Sequence, residues 1–278
     1  MRRYTFEGGT AVVTGAASGI GAALAAGLAA RGSNLVLLDR DADGLAAVAA
    51  ATRALPTGVR VTEHVADLAD PAAAVAAGEA IAAAHPETTL LINNAGVALA
   101  GRFDQVDAAQ FDAVIAVNFQ AVVTMTRALL PALTAHPGAH LVALSSIFGI
   151  VAPPGQTAYC ASKFAVRGFL ESLRGELAPM GVGVTCVHPG GVRTNIARNA
   201  IVGVRLPAAQ WEAGRDQFDQ LLTLAPADAA EIILRAVHRR RPRVLVGRDA
   251  VILDKLARML PVGNGRLLSA ATRRSTRR

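Results

Sequence analysis

The chain has 278 residues, 52% of them apolar, which is enough to bury a sizeable core in one large α/β domain or two small ones. Its two cysteines lack disulfide or zinc spacing and its six histidines are scattered, so we expect neither a secreted disulfide framework nor a metal site, and we favour a cytoplasmic location. The formal net charge of +7 is uneven, because residues 235–278 hold thirteen Lys or Arg against two Asp. We expect residues 261–278 to form a basic tail that is solvated rather than bound to nucleic acid or an anionic membrane.

Short β-branched or aliphatic runs alternate with longer helical stretches along the chain. The predicted strands are 11–13, 34–38, 59–65, 89–92, 140–144, 182–187 and 243–246. The predicted helices include one that runs to about residue 31, one over 41–55, one opening at 70–71 and a long one over 107–135. This alternation predicts right-handed crossovers and a parallel sheet covered on both faces. We therefore expect residues 1–260 to form a single α/β domain with a Rossmann-type, doubly wound sheet of about seven mostly parallel strands.

Two stretches raise the question of a membrane. Residues 11–30 carry no charge, but their glycines and polar residues fit a strand, a turn and a helix better than a signal peptide. Residues 251–260 mix apolar side chains with Lys255 and Arg258, as in an amphipathic helix that rests on a membrane or covers a partner subunit. We favour packing of this segment on the chain's own domain, and we expect no other segment to span a membrane.

The first predicted strand leads into a glycine turn that reads Thr14-Gly15-Ala16-Ala17-Ser18-Gly19-Ile20-Gly21. Glycines let the backbone turn tightly and let a pyrophosphate approach the amides at the start of a helix, where the helix dipole favours an anion. The spacing is GxxxGxG rather than GxGxxG, but it lies between a strand and a helix, as a dinucleotide site requires. The predicted cofactor-binding residues of this turn are Gly15, Ser18, Gly19, Ile20 and Gly21.

Asp39 ends the second predicted strand, twenty residues after Gly19. A carboxylate at this place can accept hydrogen bonds from both hydroxyls of the adenosine ribose, and it repels a 2′-phosphate. Two alternatives stay open: Asp39 only caps the next helix, a role that Asp41 can also fill, or Arg40 pairs with a 2′-phosphate. We expect a preference for NAD, with NADP as the alternative cofactor.

Tyr159 and Lys163 stand four residues apart, so a helix places both side chains on one face. An ammonium beside a phenol favours the phenolate and lowers the tyrosine pKa, which brings a proton acceptor toward neutral pH. The pair alone also fits an ordinary surface helix, so other motifs have to decide its role.

Several motifs in the same order together resemble the short-chain dehydrogenase/reductase family over about residues 8–200. Besides the glycine turn and the tyrosine–lysine pair, they are Asp67, Asn93-Asn94-Ala95-Gly96, Asn118, Ser146, and Pro189-Gly190 with Thr194. The resemblance implies a catalytic tetrad of Asn118, Ser146, Tyr159 and Lys163. It selects Ser146 over Ser145 because family members place the serine thirteen residues before the tyrosine.

The resemblance also implies contacts to the cofactor. Asp67 is implied to contact the adenine, and Thr194 the nicotinamide carboxamide. The other implied contacts are Leu68, Asn94, Ala95, Gly96, Tyr159, Lys163, Pro189, Gly190 and Val192. An ordinary turn at 93–96 and a strand terminator at 189–190 are the structural alternatives.

The chemistry implied by the family is hydride transfer between a nicotinamide and a secondary alcohol or ketone. Tyr159 exchanges the proton of the substrate oxygen, Ser146 donates a hydrogen bond to that oxygen, and Lys163 lowers the tyrosine pKa and binds the nicotinamide ribose. Asn118 is expected to hold a water that links Lys163 to solvent. The resemblance further implies a homodimer or homotetramer.

Residues 195–224 follow the sixth predicted strand, show no strand signal, and are expected to roof a substrate pocket. The predicted roof is Ile196, Ile201, Val202, Val204, Leu206 and Trp211, and the predicted opposite wall is Gly149, Val151 and 153–155. These residues suggest a moderately hydrophobic alcohol or ketone, although a helix–helix contact explains the apolar roof equally well.

Three alternatives accompany the leading reading as an NAD-dependent alcohol oxidoreductase. One is an NADP-preferring carbonyl reductase, and another is a non-catalytic nucleotide-sensing module of the same fold. A sensor has no need of the Ser146, Tyr159 and Lys163 set, which argues against the second. The third is a protein that uses its basic tail on nucleic acid or a membrane, and salt-sensitive binding would support it.

Overall fold

The computed structural model describes residues 2–263 and 265. The strands are β1 (Thr10–Thr14), β2 (Asn34–Asp39), β3 (Val61–Val65), β4 (Thr88–Asn93), β5 (Leu99–Ala100), β6 (His140–Leu144), β7 (Gly183–Pro189), β8 (Ile201–Val202) and β9 (Arg243–Val246). The α-helices are α1 (Gly19–Ala29), α2 (Ala42–Arg53), α3 (Pro71–Ala84), α4 (Ala108–Ile115), α5 (Ala121–Ala135), α6 (Thr157–Leu177), α7 (Ala208–Leu221), α8 (Pro226–His238) and α9 (Arg248–Met259).

Within the described residues, seven strands form one parallel sheet in the order β3-β2-β1-β4-β6-β7-β9. Every residue of β1 and β6 is buried, because helices cover both faces of the sheet. Helices α1 and α8 supply Leu24, Leu28 and Ile233 to one face, and α5 and α6 supply Met125 and Leu170 to the other. The predicted Rossmann-type, doubly wound α/β fold is therefore confirmed.

The predicted strands of this sheet all occur, with ends that shift by at most two residues. The insertion at 195–224 differs from its prediction, because Ile201–Val202 forms a short parallel pair with Leu99–Ala100 and residues 208–221 form a helix. A strand of two residues carries too little periodicity to be detected in a sequence. The insertion is thus tied to the loop that follows β4.

The long helix predicted over 107–135 is interrupted by a π-helical turn at Ala116–Gln120. Asp107 caps the start of α4 by accepting a hydrogen bond from Gln110 N at 2.8 Å. The stretch Ala108–Ala135 is long and apolar enough to cross a membrane by length and composition alone, which the sequence analysis did not anticipate. Its side chains at Met125 and Leu129 are nevertheless buried against the rest of the chain, as in a core helix.

Helix α9 packs on the chain's own domain, as expected for residues 251–260. Leu253 and Ala257 lie against the 3₁₀ turn Ile147–Gly149, and Asp254 forms a buried ion pair with Arg243 of β9. Most of the predicted basic tail at 261–278 lies outside the described residues.

Candidate active site

A cavity of about 1490 Å³ opens where the loops after β1, β2, β4, β6 and β7 meet. Ligands of open parallel sheets bind at this edge, where the strand order reverses. Among the predicted cofactor-binding residues, all except Gly21 line this cavity. Ser146 lines it as well, whereas Asn118 is buried beside it.

The glycine turn is pressed against the segment that follows β4. Gly15 has a φ of 65°, and a Cβ at Gly15 would lie only 2.7 Å from Ala95 Cα. A Cβ at Gly21 would overlap the Gly15 carbonyl, so Gly21 allows close packing of helix and turn instead of reaching the cavity.

Thr14 and Asn94 lock the ends of β1 and β4 together. The Thr14 hydroxyl accepts hydrogen bonds from Asn94 N and Ala95 N at 3.0 and 3.1 Å. The Asn94 side-chain amide donates to the Thr14 and Gly15 carbonyls, each at 2.9 Å. These four bonds hold the glycine turn and residues 94–96 on one side of the cavity.

Asp39, Arg40 and Asp67 form the charged end of the cavity. Asp39 accepts hydrogen bonds from Ala17 N at 2.9 Å and from Asp41 N at 3.1 Å, so its carboxylate also supports the glycine turn. The α2 cap is Asp41, which accepts from Gly44 N. The alternative in which Asp39 serves only as a helix cap is therefore not what the structure shows.

Arg40 points toward Asp67, at an Nη1–Oδ2 distance of 3.7 Å. Both side chains are about half exposed, so this ion pair is weak and easily rearranged. Asp67 additionally accepts a hydrogen bond from Ala69 N at 2.9 Å. The arginine is therefore partly balanced by a carboxylate of the same chain.

Tyr159 and Lys163 lie on one face of α6, as predicted. Lys163 Nζ lies 5.7 Å from the centre of the Tyr159 ring and donates a hydrogen bond to the Leu144 carbonyl at 3.0 Å. Lys163 is only 3% exposed, and burial lowers the pKa of its ammonium to about 8. The ring of Phe148 packs edge-on against Tyr159, with centroids 6.2 Å apart.

The expected lowering of the tyrosine pKa is not present in this structure. Burial raises the pKa of Tyr159 to about 12, and a hydrogen bond with the Ser146 side chain opposes that rise without overcoming it. The prediction overlooked the desolvation of the phenolate, which is the largest effect on this pKa.

Ser145 and Ser146 have different surroundings, which separates their roles. The Ser145 hydroxyl is turned into the protein and donates to the Lys163 carbonyl at 2.8 Å. The Ser146 hydroxyl lies at the cavity and accepts a hydrogen bond from Phe148 N at 3.1 Å. Both serines line the cavity, but the Ser145 hydroxyl hydrogen is used within the protein, which leaves Ser146 as the predicted donor to a substrate.

Asn118 lies in the π-helical turn and is completely buried. Its amide donates to the Val97 carbonyl at 2.9 Å and to Ser162 Oγ at 3.1 Å, and its Oδ1 accepts from Val97 N at 2.8 Å. A Cβ at Gly96 would lie 3.2 Å from Asn118 Oδ1 and 3.3 Å from Lys163 Nζ. Asn118 thus connects the loop that follows β4 to helix α6, close to Lys163.

His188 was not singled out by the sequence, yet it lies directly behind Ser146. It is completely buried, with Nδ1 at 3.0 Å from the Ser146 carbonyl. Burial lowers the pKa of His188 to about 4, so the ring is neutral at pH 7 and Nδ1 must carry the proton that bonds the carbonyl. A lone histidine before Pro189 gives no signal of this contact.

The predicted substrate walls are partly correct. Of the predicted roof, Ile196, Leu206 and Trp211 line the cavity. The other three do not line it, because Ile201 and Val202 pair with β5, and Val204 faces outward with 57% of its surface exposed.

Of the predicted opposite wall, Pro154 and Gly155 line the cavity, whereas Gly149, Val151 and Pro153 do not. Ile147 and Phe148 line it as well. Val151 is instead buried against α9. A Cβ at Gly149 would lie 2.7 Å from the Lys163 carbonyl, so this glycine packs beneath α6.

Polar residues of the insertion also face the cavity, which is less apolar than the sequence suggested. They include Asn195, Asn199, Gln210 and Gln217. In the sequence these residues look like the solvated face of a helix. They face the cavity only because the folded chain places helix α7 and the turn before it over the sheet edge.

Comparisons with known proteins agree with this arrangement. The family model described as short chain dehydrogenase matches residues 9–202. A protein of Mycobacterium tuberculosis named "Putative oxidoreductase SadH" is 41% identical over 269 residues, which cover 96% of each chain.

Two solved structures extend the likeness to the fold. A short chain dehydrogenase/reductase from Burkholderia phymatum in complex with NAD has a TM-score of 0.83 and 30% identity, over 92% of this chain and 95% of that chain. The bulky-bulky ketone specific alcohol dehydrogenase from Comamonas testosteroni has a TM-score of 0.71 and 27% identity, over 91% and 93% of the two chains. The chain belongs to the short-chain dehydrogenase/reductase family of oxidoreductases.

Proposed function

We propose that this protein is an NAD-dependent oxidoreductase that interconverts a secondary alcohol and a ketone. The observation that carries the proposal is the convergence of Ser146, Tyr159 and Lys163 on the cavity that the glycine turn and Asp39 also line. Similar proteins support an NAD(P)-dependent oxidoreductase, since the Burkholderia phymatum structure holds NAD, a metagenomic short-chain oxidoreductase holds NADP, and the Comamonas enzyme is a bulky-bulky ketone specific alcohol dehydrogenase.

The residues around the cavity fit a nicotinamide dinucleotide. Ser18 is the N-cap of α1 but makes no capping hydrogen bond with its side chain, so its hydroxyl and the first amides of α1 are available to a pyrophosphate at the cavity. Asp39 offers carboxylate lone pairs to the ribose hydroxyls. When bound, the dinucleotide supplies the hydride acceptor for oxidation and the hydride donor for reduction.

Tyr159 moves the proton of the substrate oxygen. During ketone reduction its phenol donates the proton to the substrate oxygen, which suits a group whose pKa burial raises to about 12, and during alcohol oxidation the small phenolate fraction accepts the hydroxyl proton. Ser146 donates a hydrogen bond to the same oxygen, where negative charge develops. Ser146 and Tyr159 both line the cavity, so a substrate oxygen bound there can meet both groups.

Lys163 supplies the positive charge of the site. Burial brings the pKa of its ammonium to about 8, so the amine is largely protonated at pH 7 and can contact a ribose hydroxyl. Both amide hydrogens of Asn118 are used within the protein. A free lone pair of Asn118 Oδ1 remains to hold a water near Lys163.

NAD is the proposed cofactor, with NADP as the alternative. The Asp39 carboxylate lies at the cavity and opposes a 2′-phosphate, and Arg40 is already paired with Asp67. An NADP-preferring carbonyl reductase requires Arg40 to leave that pair and to outweigh the repulsion from Asp39.

The proposed substrate is a moderately hydrophobic alcohol or ketone. Ile196, Leu206 and Trp211 provide apolar surface, whereas Asn199 and Gln210 can bind a second polar group of the substrate. The cavity volume of about 1490 Å³ exceeds the usual range for a single small ligand, which leaves room for a sizeable substrate beside the cofactor.

We propose one domain over residues 1–260 and a basic tail over 261–278, without a nucleic-acid or membrane partner. Cys160 and Cys186 are free thiols, which supports the proposed cytoplasmic location.

We also propose a homodimer or homotetramer. Light scattering after size exclusion tests this assembly.

A dehydrogenase screen tests the proposed function. Small aliphatic, bulky and steroid alcohols, and the matching ketones, are assayed with both cofactors by the change in nicotinamide absorbance. We expect turnover with NAD(H) and a secondary alcohol or its ketone. Tight NADH binding without turnover of any substrate favours the nucleotide-sensing alternative, and the absence of both binding and turnover contradicts the proposal.

A further inference from the structure

Asp249 lies on α9, well beyond the residues that match the family model, yet it contacts the segment that follows Pro189. Its Oδ2 accepts a hydrogen bond from Gly191 N at 2.7 Å. Asp249 and Gly191 both line the cavity. Helix α9 is thereby joined to the segment 189–194, which the family resemblance places along the cofactor.

Glycines make room for this carboxylate. A Cβ at Gly190 would overlap both carboxylate oxygens of Asp249, and a Cβ at Gly247 would overlap Oδ1. Gly247 also has a φ of 104°, which favours glycine. The backbone on either side therefore approaches Asp249 more closely than a residue with a side chain would allow.

Charge also favours the carboxylate at this place. Asp249 lies in the first turn of α9, where the helix dipole stabilises a negative charge. The hydrogen bond from Gly191 N is charge-assisted and is therefore stronger than a bond between neutral groups. Within the described residues the Gly191 N–H has no other hydrogen-bond acceptor, so Asp249 is its partner.

The rest of the segment is fixed by backbone hydrogen bonds. Gly190 N donates to the Val246 carbonyl at 2.8 Å, and the Gly191 carbonyl accepts from Thr223 N and Leu224 N, each at 3.0 Å. Arg193 N donates to the Leu224 carbonyl at 2.8 Å. Asp249 thus completes a set of restraints that holds two adjacent glycines, which are the most flexible residues of a chain.

We propose that Asp249 is a positioning residue for cofactor binding, because through Gly191 it sets the path of residues 192–194. This inference rests on the proposed function, together with the contact to the nicotinamide carboxamide that the family resemblance implies for Thr194. Thr194 in turn approaches the glycine turn, since a Cβ at Gly19 would lie 3.0 Å from Thr194 Cγ2. A shift of Gly191 should therefore also move Thr194, which lies next to the glycine turn where the cofactor is proposed to bind.

Three variants test the proposal: Asp249→Ala, Asp249→Asn and, as a matched control, Asp228→Ala. Asp228 is an exposed acidic residue in the first turn of α8, so its loss removes the same kind of helix-end charge away from the cavity. The readouts are hydrogen exchange of the peptide that covers residues 189–196 in the cofactor-free protein, the Kd for NADH, and the Tm.

In Asp249→Ala we expect faster exchange of that peptide and a Kd for NADH raised by about tenfold, with the Tm close to that of the control. Asp249→Asn keeps an acceptor oxygen and should lie between wild type and Asp249→Ala. If Asp249→Ala does not fold, Asp249→Asn carries the test, with the same directions of change.

Exchange and NADH binding equal to those of Asp228→Ala would overturn the proposal. Weaker NADH binding with unchanged exchange would also overturn it, because Asp249 would then act by direct contact rather than by positioning. If wild type binds neither NADH nor NADPH, the proposed function fails, whereas faster exchange in Asp249→Ala still supports the hold of Asp249 on Gly191.

Discussion

The Ser145 hydroxyl donates a hydrogen bond of 2.8 Å to the backbone carbonyl of Lys163. The ammonium of the same lysine donates to the Leu144 carbonyl at 3.0 Å, so the end of β6 holds Lys163 at both its backbone and its tip. Strand β6 therefore places the lysine beneath Tyr159, and it leaves the next residue, Ser146, facing the cavity. The two adjacent serines should consequently respond to mutation in different ways.

Replacing Ser146 with alanine should lower kcat by roughly 10²- to 10³-fold, because the substrate oxygen loses its hydrogen-bond donor. The matched variant Ser145→Ala should keep most of the activity and lose about 1 kcal/mol of unfolding free energy, since a buried hydrogen bond is removed. Steady-state kinetics and urea unfolding measure the two effects. The reverse pattern, with Ser145→Ala inactive and Ser146→Ala active, would show that the serines were assigned the wrong way round.

Replacing Tyr159 with phenylalanine should lower kcat by roughly 10²-fold or more while the Kd for NADH stays nearly constant, because only the proton-transfer group is lost. Tyr4→Phe is the matched control. Tyr4 is also buried, and its hydroxyl lies 3.0 Å from Thr89 Oγ1, far from the cavity. That variant should keep its activity and lose about 1 kcal/mol of stability. Near-normal turnover by Tyr159→Phe would refute the role of Tyr159 as general acid and base.

The buried His188 should make the protein sensitive to mild acid. Its pKa is lowered from 6.5 to about 4 by burial, so below pH 6.5 the unfolded chain binds a proton that the folded chain does not. Stability is therefore lost as the pH falls from about 6.5 toward 4. Between pH 7 and 5 wild type should lose about 2 kcal/mol more unfolding free energy than His188→Asn, which keeps a donor to the Ser146 carbonyl but does not titrate.

Urea unfolding of both proteins at the two pH values measures this difference. His140 is also buried, with its pKa lowered to about 3, but it is present in both proteins and its contribution cancels. Equal losses in wild type and His188→Asn would mean that His188 is not neutral inside the folded protein at pH 5.

Replacing Asp39 with serine should shift the cofactor preference. The carboxylate that binds the ribose and repels a 2′-phosphate is removed, so kcat/KM for NAD should fall by about tenfold and the ratio for NADP over NAD should rise. Asp41→Ser is the control, because Asp41 caps α2, does not line the cavity, and serine also caps helices. A wild-type protein that prefers NADP by tenfold would contradict the expected NAD preference.

The sequence by itself determined the alternation of strands and helices, the glycine turn and the tyrosine–lysine pair, because these depend on local periodicity and short spacings. It could not reveal the π-helical turn at Asn118, the two-residue strand at Ile201–Val202 or the polar side of the roof, which have no local pattern. The tertiary structure alone showed what each of the two adjacent serines contacts, since Ser145 Oγ donates to the Lys163 carbonyl and Ser146 Oγ accepts from Phe148 N.

Burial and long-range contacts were likewise decided only by the fold. Tyr159 has its pKa raised rather than lowered, because packing around α6 removes water from the phenol. His188 reaches the Ser146 carbonyl across 42 residues of sequence, and Asp249 reaches Gly191 across 58. Such contacts form because the folded sheet brings particular strand ends and helix starts to one edge. The sequence around His188 or Asp249 does not indicate which distant residue it will contact.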